Sequence, residues 1–314
     1  MSTGTPAVAG IASAPVTAVV PTHRRPELMR AAVQSIVSQD YPGTIEVIVV
    51  FDACDPVLPD LELPADRTLR AVVNERTRGL AGARNAGILA ASHDYVAFLD
   101  DDDTWLPGKL TAQMPLFESH PDARLVGTAS RFDDGRRGHD RLAPSDVVTH
   151  AELLLDRITA LHSSSFVFRR SALVGEIGLI DEELPRGYGE DTDVLLRASS
   201  IADIPLVNRP LVAVRWQGQS YFLGQWAQYA QALTYLLAKH PDIEKAPEAA
   251  ARLRSQIAFG LVASDQRKAG RKVARQVLRV QPGNLRAWLA LLIGLRLASP
   301  RFVQAAARRL GKGI

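Results

Sequence analysis

Four consecutive aspartates end an apolar segment in YVAFLDDDDTWLPGKL, residues 95–110. Residues 95–99 have the composition of a buried strand, and like charges repel more strongly as their surroundings lose water. Four carboxylates can therefore crowd together there only if cations, hydrogen-bond donors or open solvent offset the repulsion. Residues 100–103 are either a binding site or a solvated acidic turn.

Strands and helices alternate around this run. Apolar runs predict strands at residues 16–20, 45–51, 69–74 and 95–99, with helices between them at 26–39 and 79–92. The alternation predicts an α/β fold with a mostly parallel, doubly wound sheet. Ligands bind beyond the carboxyl ends of the strands in such sheets. The aspartates lie at that edge.

Smaller features refine this prediction. The helix at 79–92 is rich in small residues and could lie close against the sheet, whereas the polar segment 131–146 predicts a mobile loop. A strand that turns into a helix is predicted at 164–173, and a helix with acids in its first turn at 189–200. Another strand is predicted at 210–216.

The rest of the chain is helical in pattern and basic in charge. Twelve of the 37 Lys and Arg residues lie between residues 266 and 314, a span that contains none of the 34 Asp and Glu residues. Basic surfaces of this kind bind phosphates. We therefore predict three parts: a disordered leader at 1–15, an α/β domain at 16–220 and a basic helical region at 221–314.

Five segments in this order resemble the family 2 glycosyltransferases of the GT-A fold. They are VTAVVPTHRRPE, EVIVVFDACDP, GLAGARNAGILAASHDYVAFLDDDDTWLPGKL, SSSFVFRRSALVGEIGLIDEEL and GYGEDTDVLLRAS. The resemblance covers roughly residues 16–220 and implies a Rossmann-like catalytic domain followed by a C-terminal helical extension. It also implies transfer of a sugar, with inversion, from a nucleotide-diphosphate donor assisted by a divalent metal.

The resemblance implies a set of nucleotide-binding residues. Asp52 matches an acid that accepts a hydrogen bond from the base, although this chain has Phe51-Asp52-Ala53-Cys54 where the family usually has Asp-Asp-Gly-Ser. Arg84 and Asn85 match an Ala-Arg-Asn element near the diphosphate. The implied set is Pro21, Thr22, His23, Arg24, Asp52, Arg84, Asn85, Asp100 and Asp101.

The aspartate run matches the family's Asp-any-Asp metal motif, which predicts Mg²⁺ or Mn²⁺ as the cofactor. Asp100 and Asp102 would share a side if the chain stays extended, so that one binds the metal and the other the donor ribose. Asp101 would then point elsewhere, and Asp103 would cap the following helix. Bound to both phosphates, the cation would neutralise the leaving group and relieve the repulsion within the run.

Glu190 and Asp191 match the acidic pair that supplies the catalytic base. Asp191 suits the role of base, since a carboxylate at a helix N-terminus is held ionised, and Glu190 would orient the acceptor. Gly189 would leave the approach unobstructed. Arg215 and Trp216 would bind the acceptor, although the glutamine of a processive Gln-any-any-Arg-Trp motif is missing, which argues against polymer synthesis.

These residues imply a set of partners: a nucleotide-diphosphate sugar donor and a glycan, lipid-linked or small-molecule acceptor, with no nucleic acid. The basic helices could bind an anionic membrane surface, or form a bundle with a basic outer face. With no long apolar run and a single cysteine, Cys54, we expect a cytoplasmic protein, peripheral at the inner face of the membrane if the helices bind lipid.

Two alternatives stay open. A sugar-phosphate nucleotidyltransferase would share the nucleotide-binding sheet, but it needs an early glycine-rich loop, and VVPTHRRPELMR contains no glycine. A non-catalytic nucleotide-sugar-binding protein would not need the intact Asp102 and Asp191.

Overall fold

The computed structural model describes residues 10–135, 137–216, 224–300 and 303. These residues form two compact units. The sheet unit comprises residues 10–153, 158–182 and 194–216, and the helical unit comprises 154–157, 183–193 and the described residues from 224 onward. The predicted boundary between the two parts lies at 220, among residues that are not described.

The sheet unit contains a ten-stranded sheet among its described residues. The strands are β1 (Val16–Thr22), β2 (Ile45–Phe51), β3 (Arg67–Val73), β4 (Tyr95–Phe98), β5 (Thr104–Trp105), β6 (Leu125–Asp133), β7 (Gly138–Arg141), β8 (Val147–Val148), β9 (Val167–Arg169) and β10 (Ile204–Arg215). Their order is β3-β2-β1-β4-β9-β6-β10-β5, with β7 beside β6 and β8 beside β10.

The strands predicted from the first apolar runs form the parallel half of this sheet. β3, β2, β1 and β4 are parallel neighbours, and β6 runs parallel to β10. β9 lies antiparallel between β4 and β6 and joins the two groups. The predicted mixed α/β fold with a mostly parallel sheet is confirmed.

Helices cover both faces of the parallel half. The α-helices of the described residues are α1 (Pro26–Val37), α2 (Leu80–Ala90), α3 (Lys109–Gln113), α4 (Leu116–Ser119), α5 (His150–Leu155), α6 (Arg170–Val174), α7 (Glu190–Ser199), α8 (Trp226–Lys239), α9 (Asp242–Lys245), α10 (Pro247–Ala263), α11 (Arg267–Val280) and α12 (Leu285–Gly294). Alternate β1 residues Val16, Ala18 and Val20 belong to one core with α1. Because side chains alternate along a strand, Val19 points to the other face, towards α2.

The prediction that 79–92 lies close to the sheet is confirmed at α2. A Cβ atom added to Gly87 would lie 2.3 Å from Val19 Cγ1 and 3.1 Å from Val50 Cγ2. Only a residue without a side chain lets the helix backbone approach these strands so closely. This contact fixes the depth of α2, which carries Arg84 and Asn85.

Two local predictions fail. The segment 131–146 is not a structureless loop, because β6 extends to Asp133 and pairs with β7 as an antiparallel hairpin. Arg131 and Asp140, which form an ion pair across it, make the hairpin polar and hide it from hydrophobic periodicity. Residues 10–15, assigned to the leader, instead form a 3₁₀ turn at Ile11–Ser13, and Ile11 packs against the core. Residues 1–9 lie outside the described part.

The helical unit has its own core. Buried residues of α10, α11 and α12, among them Phe259, Val277 and Ile293, form one apolar cluster. The predicted helical pattern of this region is confirmed by α8 to α12. From residue 300 onward, only Pro300 and Val303 are described. Every helix in the described part of the chain is too short or too polar to cross a bilayer.

We expect Gly87→Ala to destabilise the protein by about 2 kcal/mol, because the added methyl group overpacks the contact between α2 and the sheet. Leu89→Gln, at an exposed position on the same helix, is the control and should cost far less. Urea denaturation followed by circular dichroism measures both. Equal losses in the two variants would show that the close approach at Gly87 does not matter.

Candidate functional site

The four aspartates form a tight turn after β4. The N–H of Asp103 donates to the carbonyl oxygen of Asp100 at 3.1 Å, which closes the turn over Asp101 and Asp102. The extended conformation assumed from the sequence is therefore wrong. The turn brings Asp100 close to Asp103, while Asp102 keeps a third of its side chain exposed.

Buried donors bind the carboxylate of Asp100. Its carboxylate forms an ion pair with the buried guanidinium of Arg84 and accepts a hydrogen bond from Ser163 Oγ at 3.2 Å. Arg84 also donates to Ser163 Oγ at 3.0 Å. Arg84, predicted to lie near a diphosphate, thus contacts the acidic turn itself.

Asp103 is buried and does not cap a helix. It accepts hydrogen bonds from Ser164 Oγ at 2.6 Å and from the backbone N–H of Arg215 at 3.0 Å. The following helix, α3, begins after Gly108. The predicted capping role is therefore wrong, and Asp103 instead ties the turn to the end of β10.

Asp101 and Asp102 contact the end of β1. Asp101 accepts a hydrogen bond from Thr22 Oγ1 at 2.7 Å. Arg25 lies between the two carboxylates, with its Nη1 atom 3.1 Å from Asp101 and 3.0 Å from Asp102. Thr22 was predicted as a site residue, whereas Arg25 was not. Thr22 and Arg25 together connect Asp101 and Asp102 to the end of β1 and the residues that follow it.

The surroundings lower the pKa of one of the four carboxyl groups and raise the pKa of the other three. Burial alone would raise the pKa of Asp100, but Arg84 and His162 outweigh it and hold that pKa below its usual value. Burial raises the pKa of Asp101, Asp102 and Asp103, and the negative charge of Asp100 adds to the effect on all three. The turn thus holds one carboxyl group that ionises readily, Asp100, beside three whose burial disfavours the charged form.

Asp100, Asp103 and His162 present ligand atoms that all lie within 4.8 Å of one another. The Nδ1 atom of His162 lies 3.4 Å from the carboxylate of Asp103. Carboxylate oxygens are the ligands that Mg²⁺ and Mn²⁺ prefer, and an imidazole can complete such a set. The donor set therefore fits a divalent cation. Asp102, predicted as a ligand, lies outside this group of three.

A cavity of about 600 Å³ opens at the carboxyl ends of β1, β2 and β3. Thr22, Arg24, Asp52, Asn74 and Arg78 contribute to its wall. Three of the predicted nucleotide-binding residues, Thr22, Arg24 and Asp52, thus line one cavity, whereas Pro21 and His23 do not line it. Its size is in the range of small-molecule sites, and its arginines favour an anionic ligand.

Asp52 organises the floor of this cavity. Its carboxylate accepts hydrogen bonds from Asn74 Nδ2 at 2.7 Å and from the backbone N–H of Gly79 at 3.0 Å. His23 Nδ1 lies 2.6 Å from the carbonyl oxygen of Asp52. Ala53, which stands where the family usually has glycine, has a φ of 50°, in the left-handed region that glycine adopts more easily. Ala53 therefore adopts the backbone conformation of this turn although it is not a glycine.

The side chain of Asn85 forms its hydrogen bonds with other residues of the protein. Its side-chain amide accepts from the N–H of Ile180 and donates to the carbonyl oxygen of the same residue, both at 2.8 Å. It also donates to Glu182 at 2.7 Å. Asn85 therefore fixes residues 180–182 against α2. Its predicted contact with a nucleotide stays a prediction.

Trp216 offers an exposed aromatic face at the end of β10. About half of its side chain is accessible, and its ring makes an edge contact with Phe132 at a centroid distance of 5.7 Å. Phe132 in turn contacts His162 at 6.0 Å. Arg215, also exposed, holds Asp103 through its backbone N–H. Trp216 is therefore connected to the acidic turn by packed aromatic rings.

In the helical unit, the predicted acidic pair begins α7. Asp191 accepts a hydrogen bond from Arg157 Nη2 at 2.6 Å, whereas Glu190 is buried. Gly189 has a φ of 79°, and a Cβ atom there would lie 2.7 Å from Leu236 Cδ1. The structure thus gives Gly189 a conformational and packing role at the start of the helix.

The first turn of α7 is anchored by a third acid. Asp193 is fully buried and lies 2.8 Å from His240 Nε2 and 2.9 Å from Lys239 Nζ. Its backbone N–H donates to the carbonyl oxygen of Gly189 at 2.8 Å. Asp193 therefore fixes the helix end that carries Asp191.

Comparison with known proteins adds to this geometry. The family model described as Glycosyl transferase family 2 matches residues 17–174. This span is half of the chain and contains β1 to β4, the acidic turn and β9. The chain belongs to glycosyl transferase family 2.

Relatives and solved structures agree with this membership. The UDP-Glc:alpha-D-GlcNAc-diphosphoundecaprenol beta-1,3-glucosyltransferase WfgD of Escherichia coli is 29% identical over 164 residues, which is 49% of this chain and 64% of that protein. TarS of S. aureus in complex with UDP-GlcNAc superposes with a TM-score of 0.57 at 16% identity, over 95% of this chain and 92% of TarS.

A third similar protein is the mannosyltransferase PcManGT of Pyrobaculum calidifontis in complex with GDP-Man and Mn²⁺. Its TM-score is 0.51 at 18% identity, over 90% of this chain and 80% of that one. Both solved structures confirm the GT-A fold. As a family 2 glycosyltransferase, the protein is an enzyme, and neither a nucleotidyltransferase nor a non-catalytic binding protein is supported.

Sequence reasoning missed several residues of this glycosyltransferase site. His162 has no role in the sequence analysis, and Ser163 and Ser164 stand in the motif SSSFVFRRSALVGEIGLIDEEL without an assigned role. Arg25 stood beside the predicted Arg24. The repeated serines before β9 were an available signal, because small hydroxyl side chains at a strand edge can donate to nearby carboxylates.

Ser164 provides a sharp test of how the turn is held. Its buried hydroxyl donates to Asp103 and accepts from the N–H of Asp100 at 3.1 Å. We expect Ser164→Ala to lower the free energy of unfolding by about 2 kcal/mol, because two buried polar groups lose their partner.

Ser165→Ala is the matched control for that substitution. The neighbouring Ser165 is equally buried, but its hydroxyl has no hydrogen-bond partner among the residues that the structure describes. Its removal should change the free energy of unfolding by less than about 0.5 kcal/mol. Chemical denaturation measures both variants, and an equal effect at the two positions would contradict the role given to Ser164.

Proposed function

We propose that this glycosyltransferase transfers a sugar, with inversion, from a nucleotide-diphosphate donor to a hydroxyl group of a glycan, lipid-linked or small-molecule acceptor. The acidic turn carries this proposal. Its carboxylates, with His162, form a donor set for a divalent cation at the carboxyl edge of the sheet, where a donor diphosphate is expected.

The cavity at the ends of β1, β2 and β3 is the proposed nucleoside site. Arg24, Arg76 and Arg78 in its wall supply positive charge for an anionic donor. TarS and PcManGT, which share the fold, were solved with UDP-GlcNAc and GDP-Man. We therefore propose a UDP-, GDP- or dTDP-sugar as donor, with Asp52 near the base.

The acidic turn would hold Mn²⁺ or Mg²⁺. We propose that Asp100 and Asp102 provide carboxylate ligands, and that Asp103 and His162, in contact with each other, complete or orient the set. A bound divalent cation neutralises charge that develops on a departing diphosphate. Arg84 contributes by keeping Asp100 ionised, and Arg25 by positioning Asp102.

Asp191 is the proposed general base. Inversion requires a group that takes the proton of the acceptor hydroxyl as it attacks opposite the leaving group. The guanidinium of Arg157 beside Asp191 and its place at a helix N-terminus both favour the ionised carboxylate. Glu190 is buried and suits an orienting role better than proton transfer.

The acceptor proposal rests on two observations. WfgD is named for an acceptor in which a sugar is linked through a diphosphate to undecaprenol. The exposed face of Trp216 offers a surface on which a sugar ring can stack, since aromatic rings bind apolar sugar faces. We propose a lipid-linked glycan as the acceptor, with transfer at the cytoplasmic surface of a membrane.

A thermal-shift panel of UDP-, GDP- and dTDP-sugars, with and without Mn²⁺, would identify the donor. We expect one nucleotide class to stabilise the protein, more strongly with Mn²⁺, and Asp102→Asn to abolish the metal-dependent part. Asp203→Asn, at an exposed acid outside the site, is the control and should behave as the native protein. Donor stabilisation independent of metal in every variant would refute the cation proposal.

Asp191→Asn separates donor binding from transfer. We expect this variant to keep the thermal shift with donor and Mn²⁺ but to lose about 10² to 10⁴-fold in the transfer rate, because the amide cannot accept the proton. Release of nucleoside diphosphate in the presence of acceptor measures the rate. A normal rate in Asp191→Asn would show that another group is the base.

A further inference from the structure

A row of basic side chains follows the outer face of α11. Lys268, Lys272, Arg275 and Arg279 are exposed and lie at the spacing i, i+4, i+7 and i+11. The opposite face, with Gly270, Ala274 and Val277, is buried in the core of the helical unit. These four basic residues therefore occupy one continuous, solvent-facing stripe of the helix.

The next helix, α12, is apolar on two faces. Ala287, Ala290 and Ile293 are buried in the same core. A second stripe, Leu285, Trp288 and Leu292 followed by Leu295, is 65%, 50%, 39% and 48% exposed. A surface helix of a globular protein normally keeps one of its faces polar. A contiguous exposed apolar stripe of this kind marks an interaction site.

The sequence of α11 and α12 carries charge of only one sign. The sequence from 266 to 314 contains no aspartate or glutamate. Asp265, the nearest acid before it, already pairs with Arg267 at 2.8 Å. Asp265 is thus the only acid in the sequence from 249 to 314, and it is already paired. Its complement is an anionic surface that also accepts apolar side chains.

The exposure and hydrogen bonding of Trp288 suit such an interface. Its indole N–H donates to the carbonyl oxygen of Pro282 at 2.8 Å, so the exposed ring has no unsatisfied donor. Entry of the ring into an apolar layer therefore breaks no hydrogen bond to water. Leucine side chains beside one tryptophan suit lipid better than nucleic acid, which is bound by several stacking aromatics.

We propose that α11 and α12 bind the surface of an anionic lipid bilayer, with the basic stripe on the headgroups and the α12 stripe in the interfacial layer. This inference deepens the membrane-surface part of the proposed function by naming the surface and the lipid chemistry. A lipid-linked acceptor would then lie in the same layer as the enzyme, which raises its local concentration.

Vesicle flotation with the full-length protein tests the proposal without any sugar donor or acceptor, so its failure would leave the proposed transfer chemistry standing. The vesicles are phosphatidylcholine alone, or phosphatidylcholine with about one third phosphatidylglycerol. We expect binding to the anionic vesicles only, weakened by salt, since each basic side chain near such a surface contributes about fivefold in affinity.

Two sets of substitutions separate the charge from the apolar contribution. Lys268→Gln, Lys272→Gln, Arg275→Gln and Arg279→Gln together should weaken binding about a hundredfold or more. Leu285→Gln with Leu292→Gln should weaken it about tenfold or more, and brominated lipid should quench Trp288 fluorescence in the native protein but not in Trp288→Phe. All these positions are exposed, so the variants should melt as the native protein does.

The hairpin of β6 and β7 offers a matched control. Arg137→Gln, Arg141→Gln and Leu142→Ser remove exposed basic and apolar side chains far along the chain from α11, and they should leave vesicle binding unchanged. The proposal is overturned if the native protein ignores anionic vesicles, or if the control weakens binding as much as the α11 set. It is also overturned if Leu285→Gln with Leu292→Gln dissociates a dimer in sedimentation velocity, because a second copy would then cover the stripe.

Discussion

Four carboxylates share one tight turn, and the residues around them have to offset their mutual repulsion. Arg84 and Ser163 hold Asp100, and Ser164 holds Asp103. These partners come from α2 and from the segment before β9, which are brought to the turn by the sheet order β1-β4-β9. The sheet topology is therefore what makes the acidic turn possible.

Burial affects the four carboxyl groups of the turn unequally, and this difference connects the fold to the proposed cation site. Burial raises the pKa of Asp101, Asp102 and Asp103, so the turn resists full ionisation. A divalent cation is a direct way to stabilise all of these charges at once. If the turn binds the proposed cation, the cation would also order it, and we then expect cation and donor to bind cooperatively.

The sequence predicts the elements of this fold better than the details of the site. Apolar runs and breaks at proline and glycine are local signals, and they locate β1, β2, β4 and α2. The convergence of Asp100 with Asp103 depends on a turn, and on Ser164, which lies 61 residues after Asp103. Neither local periodicity nor spacing contains that contact, so the extended conformation was assumed wrongly.

The hairpin of β6 and β7 was missed for a different physical reason. Its strands are held by backbone hydrogen bonds and by polar pairs such as Arg131 with Asp140, and β7 is fully exposed. β7, with the sequence GHDR, has no apolar face, so the alternation that predicts a half-buried strand is absent there. In contrast, the basic character of α11 is visible in the sequence, whereas the exposed stripe of α12 needs the structure to show which face is buried.

A crystal structure with nucleoside diphosphate and Mn²⁺, phased with the anomalous signal of manganese, tests the central claim most directly. We predict an anomalous peak at the acidic turn, in contact with both the diphosphate and the carboxylates of residues 100–103. A diphosphate bound in the cavity with no manganese at the turn, and the four carboxylates unchanged, would contradict the account.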